Sequence, residues 1–301
     1  MADIYIYSDK PDVAAEITGF VKREKKKAIL LAESKEAADV LKKLGADAVL
    51  LISGDGRRIN DYAEAIAGLT KAKGGLLLAV GSTVAGRELG ASVAGRLGCA
   101  MISDVRAARF EGDVLCAEKM TFGGAVIHAE KMSGFGVISV PAGVFEKADP
   151  AECGVEEVPL PADARISLIK TQPVVKQGVD LSKAQKIVSI GLGVNKEEDI
   201  QIARDLAEVL GAEIGCSRSI AEDRKWLPDY IGMTGVTVKP QLYFAMGLSG
   251  QIQHVFGIRD SKLIVAVDTN DKAPIFRAAD YGIVGDLYEV VPMLTEAIKK
   301  L

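Results

Sequence analysis

The chain has 301 residues, of which 49% are hydrophobic and 26% are charged, and its formal net charge is −4. This length predicts about two domains, and the apolar content excludes a wholly disordered chain. The acidic balance argues against a nucleic-acid binder, whose surface would normally be basic.

Four cysteines are scattered along the chain without a C-x-x-C pair: Cys99, Cys116, Cys153 and Cys216. Such spacing is typical of reduced cysteines in an intracellular protein and offers no zinc site. Asp3 lies where a signal peptide would carry positive charge, and the apolar runs fall short of the roughly 18 residues of a membrane span. We therefore expect a soluble, cytoplasmic protein with no direct membrane insertion and no bound metal.

The first half alternates short apolar runs with amphipathic runs. We predict strands over 3–8, 27–34, 47–54 and 74–81, and helices over 11–25, 35–45, 60–74 and 84–98. Asn60 or Asp61 is the predicted N-cap of the third helix. This βαβα series predicts a mainly parallel sheet covered by helices.

Residues 99–145 have a different pattern, with short strands joined by glycine-containing turns, which we interpret as extensions of the sheet. Residues 141–163 hold four prolines and an acidic cluster, so we predict an inter-domain connection there. Residues 165–174 read as one further strand.

From about Leu181 the α/β rhythm restarts. We predict strands over 186–191, 212–217 and 261–268, and helices over 195–211 and 286–301 that begin at the N-caps Asn195 and Asp286. The fold class is therefore α/β with two domains. The N-terminal βαβα parallel-sheet domain covers 1–180, and a doubly wound C-terminal domain covers 181–301.

Common catalytic signatures are absent from the sequence, including H-E-x-x-H, G-x-S-x-G and the P-loop pattern. GLGVNK (191–196) begins like a dinucleotide fingerprint but lacks the third glycine, so it predicts a strand-to-helix turn. His128 lies in a short alternating strand, where a structural or surface histidine is expected.

Five loop segments of the second half carry polar residues that a ligand could use: IGCSRS (214–219), YIGMTG (230–235), MGLSGQIQH (246–254), DTND (268–271) and ADYGIVGDL (279–287). Each also has an ordinary interpretation. Ser217 could cap a helix beside a surface arginine, 230–235 could be a tight turn, and Asp286 could cap a helix instead of binding a ribose.

Taken together, these loops offer hydrogen-bond donors for a phosphate, an arginine, a histidine and hydroxyls. They contain no nucleophile beside a general base. Ser249 and Gly250 in particular would present backbone N–H groups at a helix N-terminus, with Gln253 and His254 in the first turn. This combination favours a cofactor-binding site over a hydrolase.

The run from Gly215 to Ile298, with its ordered segments VKP, SGQIQH, SKLIVAV and APIFRAADYGIVGDL, resembles the FAD domain of the electron transfer flavoprotein α subunit. The first half is similar more loosely, through LGCAMISDV, TFGGAVI and PAGVF. The resemblance covers the whole chain.

The resemblance implies FAD as the cofactor, bound by residues of the second half. The implied contacts are Ser217, Arg218, Ile231, Gly232, Met233, Thr234, Gly235, Ser249, Gly250, Gln251, Ile252, Gln253, His254, Asp268, Asp286 and Leu287.

The resemblance also implies individual roles for these residues. Ser217 and Arg218 would lie beside the isoalloxazine, and the Thr234 hydroxyl would approach the flavin N5. The 249–254 turn would hold the ribityl-phosphate, with His254 near the C2 carbonyl. Asp268 and Asp286 would lie near the adenosine half. A donor or cation beside N1 and C2=O would stabilise the negative charge of a reduced flavin.

As a family member, the chain would pair with a β subunit as a heterodimer and carry electrons without being an enzyme. Its donors would be flavin dehydrogenases, such as the acyl-CoA dehydrogenases of fatty acid β-oxidation, and its acceptor a quinone reductase or a ferredoxin-type protein. Two alternatives stay open: the α subunit of an electron-bifurcating, NADH-oxidising complex, and a nucleotide-binding module without redox function.

Two positions depart from the family's pattern. Leu192 stands where many relatives have an arginine that contacts the cofactor, and Asp268 replaces a common asparagine. These departures affect individual FAD contacts but leave the main set in place.

Overall fold

The structure is a computed structural model that describes residues 3–53, 58–163, 165, 169–170, 172 and 179–300. The chain divides into two compact units, Met1–Gln172 and Pro173–Leu301. The predicted α/β class with two domains is confirmed, whereas the predicted boundary between residues 180 and 181 stays a prediction.

The first unit alternates strands and helices and then adds a run of strands. In chain order its elements are β1 (Asp3–Tyr7), α1 (Pro11–Arg23), β2 (Lys27–Ala32), α2 (Lys35–Leu41), β3 (Ala48–Ser53), a 3₁₀ turn (Ile59–Tyr62), α3 (Ala63–Ala72), β4 (Leu77–Gly81), α4 (Val84–Leu97), β5 (Met101–Ile102), β6 (Val105–Glu111), β7 (Val114–Thr121), a 3₁₀ turn (Phe122–Gly124), β8 (Val126–Met132), β9 (Gly136–Val140) and β10 (Val155–Pro159).

Seven of these strands form one parallel sheet in the order β10-β3-β2-β1-β4-β9-β5. Side chains alternate between its two faces, so Ile4 and Ile6 pack into one core and Tyr5 and Tyr7 into another. Because both faces are buried, the inner strands β1, β2, β4 and β9 read as continuous apolar runs, whereas the edge strand β10 is acidic and exposed.

The prediction that residues 99–145 extend the sheet is correct only for β5 and β9. The strands β6, β7 and β8 form a separate antiparallel sheet of three strands. The short β6–β7 connection explains this, because Gly112 adopts φ +64° and reverses the chain within two residues. His128 is exposed on β8, as expected for a surface histidine.

The prediction of a linker at 141–163 is wrong. This segment packs on the first unit: Ala148 N–H donates to the carbonyl of Ala15, and β10 pairs in parallel with β3. Prolines and acidic residues are compatible with an edge strand, so composition alone misled. The strand predicted over 165–174 lies largely outside the described residues.

The second unit repeats the α/β rhythm. In chain order it contains a 3₁₀ turn (Leu181–Lys183), β11 (Lys186–Ile190), a 3₁₀ turn (Glu197–Asp199), α5 (Ile200–Leu210), β12 (Glu213–Cys216), a π turn (Ser219–Asp223), β13 (Leu242–Met246), α6 (Ile252–Ile258), β14 (Ile264–Asp268), α7 (Ile275–Ala278), β15 (Tyr281–Val284) and α8 (Leu287–Ile298).

Its five strands are all parallel and lie in the order β12-β11-β13-β14-β15. One core on one face contains Val188 and Phe244, and a second core on the other contains Ile187 and Tyr243. From β11 the chain first adds β12 on one side and then β13, β14 and β15 on the other, so the sheet is doubly wound. The carboxyl ends of β11 and β13 form a topological switch point, where α/β sheets commonly bind ligands.

Two of the predicted N-caps are wrong and one is confirmed. Asp286 caps α8, since its carboxylate accepts from the N–H of Tyr288 at 2.9 Å. Asn195 caps no helix, because a 3₁₀ turn precedes α5 and Asp199 is the capping position. The helix predicted at Asn60 begins later, at Ala63, behind another 3₁₀ turn. Among the described residues, no helix combines the length and apolar character needed to cross a membrane.

Candidate functional site

A cavity of about 840 Å³ lies at the carboxyl edge of the second unit's sheet. Its walls come from the loops that follow all five strands. The lining residues are Leu192, Gly193, Asn195, Ser217, Arg218, Ser219, Tyr230, Ile231, Gly232, Met233, Thr234, Gly247, Leu248, Ser249, Gly250, Gln251, Gln253, His254, Asp268, Thr269, Gly285, Asp286, Leu287 and Tyr288. Its size is within the range of pockets that hold organic ligands.

The structure thus brings together all but two of the sequence-predicted binding residues. Gly235 and Ile252 do not line the cavity. Gly235 sits against the Tyr230 ring in the turn closed by the Ile231–Val236 bridge, and the Ile252 side chain is exposed.

The turn between β13 and α6 supplies a series of open donors. Within the described residues, the backbone N–H groups of residues 249–253 form no hydrogen bond. The predicted placement of Ser249 and Gly250 at the helix N-terminus needs correction, because α6 begins at Ile252 and Gln251 is its N-cap. The two residues precede the helix in the turn that follows β13. Consecutive free N–H groups favour an anionic ligand such as a phosphate.

Glycine is required at the floor of the cavity for close backbone approach. A Cβ on Gly193 would lie 2.6 Å from the Cα of Gly247, so the loops after β11 and β13 can meet only as glycines. Gly250 has φ +76°, and a Cβ there would lie 2.2 Å from the backbone nitrogen of Ile275. Larger residues would fill or distort this floor.

His254 is buried at the inner wall. Its Nε2 is 2.8 Å from the hydroxyl of Tyr243, while Nδ1 forms no hydrogen bond within the described residues. Burial lowers the pKa of His254 to about 4. The backbone of Ile231 opposes this shift but makes no hydrogen bond of acceptable geometry to Nδ1. The ring is therefore neutral near pH 7, and it can serve as a donor but not as the cation that the sequence alone left possible.

Arg218 is an exposed residue of the cavity lining, and we call its side of the cavity the open side. Its Nε donates to Glu222 at 2.5 Å, one turn further along, and its side chain is 67% exposed. The Glu222 carboxylate raises the pKa of Arg218, which stays charged. An exposed pair of this kind is weak, so the guanidinium is able to turn towards an anionic ligand.

The 230–235 turn and the 246–254 turn are joined to each other. The N–H of Met233 donates to the carbonyl of Gln253 at 2.8 Å, and the Thr234 hydroxyl is 3.0 Å from the Tyr230 hydroxyl. This connection gives the wall a defined shape and holds the Thr234 side chain in place.

The two carboxylates of the cavity lining, Asp268 and Asp286, each accept a hydrogen bond from a backbone N–H two residues further along the chain. Asp268 accepts from the N–H of Asn270, and Asp286 accepts from Tyr288, each at 2.9 Å. A carboxylate has further acceptor capacity, so capping and ligand binding are compatible at these positions.

Family models match both halves of the sequence. Residues 180–259 match the electron transfer flavoprotein FAD-binding domain, and residues 21–164 match the electron transfer flavoprotein domain. YdiR of Escherichia coli (strain K12) is 34% identical over 306 residues, covering 99% of this chain and 98% of YdiR. Protein FixB of Salmonella typhi is 35% identical over 313 residues, covering 99% of both chains.

The chain belongs to the electron transfer flavoprotein family. Within that family it is an α-type subunit, and its C-terminal domain is a FAD-binding domain. The match to the FAD-binding domain spans the cavity's lining from Leu192 to His254, including the switch point.

The residues present fit FAD as the resident cofactor of this flavoprotein. The donors at 249–253 suit a phosphate, and the orphan Nδ1 of His254 suits a carbonyl acceptor. The cavity has room for an extended organic molecule, and its glycine floor allows the backbone to approach that molecule closely.

The sequence did not single out several lining residues, including Gly193, Tyr230, Thr269 and Tyr288. Tyr230 and Thr269 do lie in segments that were expected to offer ligand contacts, 230–235 and 268–271. Gly193 lies three residues after the end of β11, so the rule that ligands lie at carboxyl strand ends could have identified it. Tyr288 had no such signal. Its hydroxyl accepts from the N–H of Asn195 and donates to Asp199, so it ties α8 to the loop after β11.

Proposed function

We propose that this flavoprotein subunit is an electron carrier and not itself a catalyst. It would accept electrons from flavin dehydrogenases, such as the acyl-CoA dehydrogenases of fatty acid β-oxidation, and pass them to a quinone reductase or a ferredoxin-type acceptor. It would do so as a heterodimer with a β subunit, in the cytoplasm. The unpaired state of its four cysteines supports a reducing compartment.

The observation that carries this proposal is the cavity at the switch point, with its five open N–H groups and the single buried histidine. FAD supplies reversible one- and two-electron chemistry when bound. The protein's own contribution is to hold the cofactor, exclude water from its inner side and set the electrostatic field around it.

We propose that the whole sequence-predicted set holds FAD, including the two residues away from the cavity. That set is Ser217, Arg218, Ile231, Gly232, Met233, Thr234, Gly235, Ser249, Gly250, Gln251, Ile252, Gln253, His254, Asp268, Asp286 and Leu287. Gly235 and Ile252 would act indirectly, by shaping the turns that carry their neighbours.

Within this set, two groups would stabilise negative charge on the reduced cofactor. His254 would donate from its neutral ring at the inner wall, and Arg218 would add a positive charge from the open side after leaving Glu222. The N–H groups of 249–253 would bind the phosphates, and Thr234 would contribute its hydroxyl to the ring system.

We also propose a division of labour between the domains. Residues 181–301 would bind FAD, and residues 1–180 would form the interface with the β subunit. The cavity is built from residues of the second unit alone, which supports the first part of this division.

The first experiment is an absorption spectrum of the purified chain, with and without a co-expressed β subunit, followed by stepwise reduction. Flavin bands that bleach in one-electron steps are expected. A chain that takes up no flavin, even with the partner and added FAD, would refute the carrier function and favour a non-redox nucleotide-binding module. A second FAD in the heterodimer that NADH reduces would instead assign the chain to a bifurcating complex.

A variant sharpens this experiment. Arg218→Ala removes the positive charge at the open side, so bound FAD should become harder to reduce while the fold persists. Arg109→Ala is a matched control, since Arg109 is an exposed arginine paired with Glu111 in the other unit. Equal redox titrations for the two variants would show that Arg218 is not part of the site.

A further inference from the structure

A tyrosine beneath the cavity contacts the buried histidine. Tyr243 lies on the central strand β13, is fully buried, and does not itself line the cavity. Its hydroxyl oxygen is 2.8 Å from Nε2 of His254. We propose that Tyr243 is a positioning residue: its hydroxyl donates to Nε2 of His254 and fixes the neutral ring with its single proton on Nδ1. This proposal rests on the assignment of His254 to the FAD site.

The number of available protons supports this arrangement. His254 is neutral near pH 7, so its ring carries one N–H and one bare nitrogen. Burial raises the pKa of Tyr243, so the phenol keeps its proton. Either the phenol donates to Nε2, which leaves the ring proton on Nδ1, or Nε2–H donates to the phenol, whose own proton then needs another acceptor.

The alternative acceptor is Ser189 on β11. Burial raises the pKa of Tyr243, and the Ser189 hydroxyl acts in the opposite direction. Yet within the described residues the Ser189 Oγ forms no hydrogen bond, and Tyr243 Oη has His254 as its sole partner. The geometry therefore favours donation from the phenol to Nε2.

If Tyr243 fixes the tautomer in this way, His254 offers an N–H donor before any ligand binds. With the proton on Nδ1, the ring presents a buried N–H whose neighbouring acceptor, the Ile231 backbone, forms no well-aligned hydrogen bond with it. An unsatisfied buried donor is unfavourable, so an acceptor atom of the cofactor would relieve that cost on binding. The opposite tautomer would present a bare nitrogen, which would repel a carbonyl oxygen. Tyr243 thus selects an acceptor-bearing ligand without touching it.

The test is ¹⁵N NMR of the full chain with labelled histidine, recorded with FAD bound and after its removal. The chain has only two histidines, so His128→Gln assigns the His254 signals. We expect a protonated Nδ1 and a hydrogen-bonded, unprotonated Nε2 in both states. The Tyr243→Phe variant should lose the Nε2 signature and bind FAD about tenfold more weakly. Ser189→Ala is the matched control and should leave both readouts unchanged.

Three results would overturn the proposal: a wild-type ring protonated on Nε2, an unchanged ring signature in Tyr243→Phe, or a changed tautomer in Ser189→Ala. The wild-type spectrum decides the tautomer even where Tyr243→Phe fails to fold. The FAD-free measurement also separates this proposal from the proposed function. A chain that binds no FAD would refute the latter, while the ring signature would still report the Tyr243–His254 bond.

Discussion

The two units of the molecule build the same kind of sheet edge and treat it differently. Each parallel sheet has a point where neighbouring strands lead to connections on opposite sides, between β1 and β4 in the first unit and between β11 and β13 in the second. At the first edge, one cluster of polar groups forms hydrogen bonds within itself. Ser82 Oγ donates to Ser139 Oγ at 3.0 Å, and the N–H of Asp104 donates to the same oxygen at 2.9 Å.

At the second edge, several polar groups beside the cavity are left without a partner among the described residues. The N–H groups of 249–253 and Nδ1 of His254 have no partner within the described part of the chain. Topology indicates where a ligand can bind, because both edges satisfy the switch-point rule. The cavity at the second edge, together with its unpartnered donors, indicates that this edge is the one built for a ligand.

The largest expected effect comes from a substitution that adds a side chain to the glycine floor of the cavity. Gly250→Ala places a methyl group 2.2 Å from the nitrogen of Ile275, on a backbone with φ +76°. Steric overlap and the left-handed conformation should together cost about 3 kcal/mol of unfolding free energy and abolish FAD binding. Urea unfolding and the flavin absorbance per chain would measure the two effects.

Gly211→Ala is the matched control for this substitution. Gly211 also has a positive φ, +61°, but a Cβ there meets nothing within 4 Å. It should lose about 1 kcal/mol from backbone strain alone and keep its FAD. Equal losses in the two variants would mean that the contact with Ile275 does not shape the site.

Much of this contrast was visible in the sequence. The βαβ rhythm predicted both parallel sheets, and the turn residues of 246–254 marked the second edge. The linker prediction at 141–163 failed because proline and acidic residues do not distinguish an edge strand from a connection. Pairing of β10 with β3 depends on contacts about a hundred residues apart in the chain, which local composition does not encode.

The protonation of the site could not be predicted from the sequence. His254 was identified by its position in the turn, but its neutral state follows from burial and from its contact with Tyr243. Tyr243 lies in a strand that reads as ordinary core. Only the three-dimensional packing places its hydroxyl under the ring.

The next effect is a pH dependence of the unfolding free energy, which we expect from the buried His254 at the second edge. The pKa of His254 is about 4 in the folded chain and 6.5 without the shift. Between these values the unfolded chain binds a proton that the folded chain excludes. Stability is therefore fully present above pH 6.5 and falls as the pH drops towards 4, by about 3 kcal/mol.

Carboxylates titrate in the same range, so the measurement is a difference between variants. His254→Gln should flatten the unfolding free energy between pH 6.5 and 4 relative to the wild type. His128→Gln, at an exposed position on β8, is the control for loss of a histidine. Parallel wild-type and His254→Gln curves would contradict the buried, neutral ring.

The smallest effect compares two serines that are both fully buried, one at each edge. Ser139 accepts from Ser82 and Asp104, whereas the Ser189 Oγ has no partner within the described residues. Ser139→Ala removes two hydrogen bonds and should cost about 1 kcal/mol of unfolding free energy. Ser189→Ala removes an unsatisfied hydroxyl and should be neutral or slightly stabilising, because no hydrogen bond is lost. A larger loss of unfolding free energy in Ser189→Ala than in Ser139→Ala would mean that the Ser189 hydroxyl forms a hydrogen bond with Tyr243. The two edges would then differ less in their hydrogen bonding than the structure indicates.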